Sequence, residues 1–130
     1  MLTLFQKAYD WLVGVQAPLM SEQTTFKVWL GPLVIGTLRA DYGQWVFAYS
    51  DEFRNQSEIQ PIVDFPSVNQ EYRSRILWPF FALRIPSPAQ PAVREFIRSQ
   101  PKAKADEAML LKEFGARCAA NPFRLVPTQS

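Results

Sequence analysis

The chain has 130 residues, 48% of them hydrophobic and 20% charged, which fits one globular domain that needs no disulfide or metal to hold it. Fourteen basic against twelve acidic residues leave a net charge of +2, too balanced to argue nucleic-acid binding by itself. The absence of histidine removes the commonest general base and metal ligand, and the one cysteine, Cys118, excludes an internal disulfide and a cysteine-based zinc site.

At the start, Leu2, Leu4, Phe5, Ala8, Tyr9, Leu12 and Val13 recur at helical spacing ahead of Pro18. The run is too short and too polar for a transmembrane helix, and no basic stretch precedes it to make an export signal. Residues 1–25 read as an N-terminal extension: an amphipathic helix seeking an apolar surface, then a polar leader after Met20. The domain is expected to fold without residues 1–19.

Residues 26–30 and 33–40 are rich in β-formers and flank the turn signal Gly31-Pro32. A second turn, Asp41 to Gln44, leads into Trp45–Tyr49, where Trp45, Phe47 and Tyr49 alternate with Val46 and Ala48. This predicts an antiparallel meander over 26–49. Residues 50–60 read as polar loop, and Pro61–Phe65 as a short edge strand. Pro79 opens a short helix carrying Phe80, Phe81 and Leu83. Ser87 is expected to cap a second helix whose apolar stripe is Val93, Phe96 and Ile97. Asp106 caps a third, with Leu110, Leu111 and Phe114 inward and Gly115 as its stop; Phe123–Val126 reads as a last strand. The fold class is α+β: a small curved antiparallel sheet followed by a short helical layer, in a single domain over 26–127 with a tail at 128–130.

Chemistry-bearing motifs are missing. The five glycines form neither G-x-G-x-x-G nor a phosphate-binding loop, and no G-x-S-x-G occurs. The neighbouring carboxylates Asp51-Glu52 and Asp106-Glu107 read as loop and cap residues, and Cys118, without an imidazole to activate it, as a buried structural thiol. The chain is therefore expected to be no enzyme, to use no cofactor or metal, and to work by binding another protein. Between Tyr72 and Lys104 seven basic residues face one acid, Glu95. Trp78 falls inside this stretch, and Pro79 forces it into an extended conformation just outside the helix, from which it either covers the sheet beside Phe80 or projects outward.

The pieces Val34-Ile35-Gly36-Thr37-Leu38, Phe80-Phe81 with Ile85-Pro86, Arg94, and Leu111 with Gly115 occur in an order and spacing that resembles the N-terminal domain of HipA-type serine/threonine kinases. The resemblance spans about residues 26–127 and departs from the family pattern at Leu83 and Arg84, where an Asn and the first of two Leu would be usual. The sequence is most similar to the small HipS subunits of three-part HipBST toxin–antitoxin systems. That resemblance implies a bacterial, cytoplasmic antitoxin, not membrane-bound, that docks on a HipT-like serine/threonine kinase and reaches a HipB-like DNA-binding protein only through the complex. The expected contact residues are Trp78 as an aromatic anchor, Phe80 beside it, and Arg73, Arg75 and Arg84 steering toward an acidic rim. Two other readings compete: a nucleic-acid-binding module using the basic 73–104 stretch, and a scaffold that stabilises the kinase without inhibiting it.

Overall fold

The computed structural model describes residues 23–100, 106–119 and 121–128. Of the predicted extension, residues 1–25, residues 1–22 lie outside the described residues, whereas Thr24 and Thr25, like Thr128 of the predicted tail, belong to the sheet. Three consecutive strands, β1 (Thr24–Leu30), β2 (Leu33–Asp41) and β3 (Gln44–Tyr49), form the predicted meander. Gly31 takes the positive φ of 58° that the first central position of a type II′ loop demands, and the fixed φ of Pro32 suits the second. Tyr42 and Gly43, at φ 49° and 88°, make the next loop a type I′ turn. Strand β4 (Tyr72–Ser74) joins β3, and β5 (Arg124–Thr128) joins β1, giving one antiparallel sheet in the order β4-β3-β2-β1-β5.

One irregularity interrupts the ladder between β1 and β2. Val28 pairs with Gly36 and Trp29 with Val34, so Ile35 is an extra residue in β2. This bulge turns Ile35 and Gly36 to the same buried face. Gly36 is obligatory there, because a Cβ would collide with the Ala48 carbonyl oxygen of β3. That collision is the physical reason for the glycine in the Val34–Leu38 motif.

Four helices are described, and all but the third in chain order send buried side chains into the core shared with the sheet. They are α1 (Asp51–Arg54), α2 (Pro79–Ala82), α3 (Pro91–Ser99) and α4 (Glu107–Phe114). The main core joins Phe26, Val28, Leu38, Trp45, Phe47 and Leu125 of the sheet to Phe53, Phe65, Phe81 and Leu111. Burying a side chain of this size contributes about 1.5–3 kcal/mol. A second cluster of Val93, Ile97 and Leu110 holds α3 on α4, and Ile85 touches both clusters. Asp106 caps α4 as predicted, accepting from the Met109 N–H at 2.9 Å.

Four local expectations are corrected. Residues 50–60 are not all loop, since Ser50 caps α1 by accepting from the Phe53 N–H. Pro61–Phe65 is a turn, closed by Phe65 N–H donating to the Ile62 carbonyl at 2.8 Å, and the edge strand is Tyr72–Ser74. Ser87 does not cap α3. It accepts from the Ala89 N–H in a separate turn, and Gln90, without a side-chain bond, precedes the first helical residue, Pro91. Cys118 is half-buried in an isolated bridge with Asn121 instead of in the core, because it sits in the loop between α4 and β5.

Candidate docking surface around residues 71–85

The segment from Glu71 to Ile85 carries every contact residue expected from the sequence, and the fold treats them differently. Arg73 is the middle residue of β4, paired with Val46, and its guanidinium bonds Glu71 at 2.6 Å with both side chains roughly half exposed. Such a surface pair adds little stability, so Arg73 remains available to a partner. Arg75 is exposed and has no carboxylate partner among the described residues. Ser74 then shapes the chain: its hydroxyl accepts from the Ile76 N–H at 3.0 Å and donates to the Ile76 carbonyl at 2.7 Å. This turn leaves Ile76 64% exposed while Leu77 plugs into the core.

Trp78 precedes α2 with φ −61° and ψ 145°, the extended conformation its proline neighbour demands. It is half-buried, not freely projecting. Its ring meets Phe65 edge-on at 5.0 Å, and Phe65 stacks on Phe47 at 4.4 Å. A chain of aromatic contacts therefore runs from the centre of β3 out to Trp78 and fixes its orientation. Phe80 is also half-buried, with its ring edge-on to Phe81 at 5.0 Å and Phe123 at 5.4 Å, so most of its surface serves packing.

Arg84 is a correction. It is 3% exposed and cannot steer anything. Its guanidinium donates to the Gly115 and Ala116 carbonyls at 3.2 and 3.5 Å, and to Asn121 Oδ1 and the Phe123 carbonyl at 2.7 Å each. Burial pulls its pKa below the usual guanidinium value. Arg84 is drawn inward because the loop after α4 turns its carbonyls toward the end of α2 and needs donors there.

Leu83, expected on the same short helix as Phe80 and Phe81, is its C-cap and is 67% exposed. As α2 is only one turn long, burying Phe81 and Arg84 leaves Leu83 facing water. Ile76 and Leu83 are the surface residues that sequence reasoning missed. The one signal for Ile76 was the small residue Ser74 two places before it; Leu83 had none.

The rest of the basic stretch disperses. Arg94 donates to the Ala89 carbonyl, Arg98 pairs with Glu95, and Lys102 and Lys104 lie outside the described residues. Among the described residues no group of acids or cysteine is placed to hold a metal, and no helix is long and apolar enough to cross a membrane.

Residues 26–120 match the family model of the HipA N-terminal domain. A solved structure described as the N-terminal domain of HipA toxin shares the fold, with a TM-score of 0.55 and 20% identity over 82% of this chain and 94% of that one. No curated protein matches. With its bulged β2, its Phe80-Phe81 helix and most of its length inside the matched region, the chain belongs to the HipA N-terminal domain family.

Proposed function

We propose that the chain docks on a HipT-like serine/threonine kinase through the Arg73–Leu83 surface and neutralises it as an antitoxin. In this reading it supplies no catalytic group, and a HipB-like DNA-binding protein joins only through the complex. Family membership supports a role within a toxin–antitoxin system. The observation that carries the reading is the pair of large aliphatic side chains, Ile76 and Leu83, held in water at either end of the segment containing half-buried Trp78. Ile76, Trp78 and Leu83 supply an apolar centre, and Arg73 and Arg75 supply a cationic rim.

The nucleic-acid reading draws less support, because Arg84 is buried and Arg94 and Arg98 sit on a separate element, α3, instead of beside Arg73 and Arg75 in the chain. The scaffold reading differs only in the kinase's turnover. Calorimetric titration of the purified kinase with the wild-type chain and with the Ile76→Ser/Leu83→Ser double variant tests the surface. Both side chains are exposed, so the variant should melt like wild type and bind at least about tenfold more weakly. Equal affinities would exclude this surface.

A further inference from the structure

The two edges of the sheet differ, and the difference points to how a partner attaches. At β5 the edge is closed. The Leu125 N–H donates to the Ala116 carbonyl at 3.0 Å instead of to β1. Backbone groups alternate sides along a strand, so Pro127 occupies the next outward position, and it has no N–H to offer. No incoming strand finds a free donor within β5.

At β4 the alternation gives the opposite result. The two-residue type I′ loop makes Asp41 and Gln44 the closing hydrogen-bonded pair, so Gln44, Val46 and Ala48 turn their backbone groups to β2. Trp45 and Phe47 then turn theirs to β4, where they meet Ser74 and Tyr72. Arg73, between these two, directs its N–H and C=O away from the sheet. Among the described residues nothing pairs with that side of β4. The open position lies three residues before Ile76 and five before Trp78, beside the surface already described.

We propose that the partner adds an extended strand to the outer edge of β4, exchanging both backbone hydrogen bonds with Arg73 and making a sixth strand of the sheet. The inference rests on the docking reading, and the occupant is an extended segment of the docked kinase. Its residue opposite Arg73 is acidic, as the guanidinium shared with Glu71 favours. Contacts from Ile76, Trp78 and Leu83 supply the apolar area that a three-residue strand lacks.

The test separates the Arg73 backbone from its charge. Arg73→Pro removes the outward N–H and leaves the β3–β4 bonds in place; Arg73→Gln removes only the charge. With the purified kinase, Arg73→Gln should bind within about threefold of wild type and Arg73→Pro about tenfold or more weakly, both melting like wild type. Should Arg73→Pro not fold, hydrogen exchange of the wild-type Arg73 amide replaces it, with at least tenfold slowing in the complex expected. Equal binding by the two variants, or an unprotected Arg73 amide in a formed complex, overturns the added strand. A wild-type dimer that Arg73→Pro abolishes assigns the edge to a second copy and also overturns it. Failure of wild type to bind the kinase at all removes the docking reading, and the added strand with it.

Discussion

Replacing Arg84 with methionine keeps an unbranched apolar stem and deletes a guanidinium that serves four acceptors. The two 2.7 Å bonds, to Asn121 Oδ1 and the Phe123 carbonyl, are the strongest, and hydrogen bonds of a charged donor contribute about 1.5–3 kcal/mol each. Gly115 O is in the buried part of the site and is left without this donor. Against this, methionine removes the penalty of a buried cation whose Nε has no acceptor. The balance is a loss of about 3 kcal/mol. At about 4 °C per kcal/mol for a chain of this size, the melting temperature falls by about 12 °C. Arg84→Lys should fall in between, because a single ammonium cannot fork between the loop carbonyls and Asn121. Urea and thermal melts of the three proteins measure this. If Arg84→Met melts within about 1 kcal/mol of wild type while losing kinase affinity, Arg84 is a contact residue and the clamp assignment is wrong.

Tyr49→Phe removes the hydroxyl that donates to the Phe65 carbonyl at 2.6 Å and accepts from the Ile62 N–H at 2.9 Å, so unfolding in urea should become easier by about 2 kcal/mol. Burial pushes the Tyr49 pKa up to about 12, so its contribution is complete below pH 10 and is lost as pH rises through 12; a phenolate absorbance titration that ionises every tyrosine near pH 10 would contradict this. Burial, reinforced by Asp106 and opposed by a hydrogen bond from the Trp45 indole, raises Glu107 to about 7. A raised acid stabilises the fold below its unfolded value near 4.5 and loses that contribution as pH rises through 7. Glu107→Gln, which stays neutral and can still accept from Trp45, should therefore exceed wild type in stability at pH 8, by about 3 kcal/mol at most, and match it near pH 4. A pH-independent difference would refute the assignment. Trp78→Ala should cost about 1–2 kcal/mol of stability through the lost Phe65 contact as well as binding energy, so its melting curve has to accompany any affinity measurement.

Strands β1 to β3 were legible because apolar alternation and two glycine-bearing turns are local signals, and the ladder pairs neighbours in sequence. Tyr72–Ser74 was not, since three residues carry no period and β4 exists only because β3 presents Trp45 and Phe47 to it. Pro61–Phe65 looked like a strand because Ile62 and Phe65 enter the core, yet they do so through a turn that Tyr49 pins from 13 and 16 residues away, and Val63 between them faces water. The extended Trp78 followed from Pro79, a constraint of covalent geometry. The choice between covering the sheet and projecting outward did not, because Phe65 reaches it across the fold. Arg84 had every reason to be placed on the surface by residue type alone. Its burial depends on acceptors 31 to 39 residues downstream, which no local pattern encodes.

The central claim is neutralisation, and it is tested by the turnover of the HipT-like kinase with a peptide or protein substrate as the chain is added. Wild-type chain should suppress turnover in step with complex formation, and the Ile76→Ser/Leu83→Ser variant should need at least about tenfold more protein for the same suppression. A stoichiometric complex whose kinase turns over at its full uncomplexed rate would contradict the account and leave the chain a scaffold.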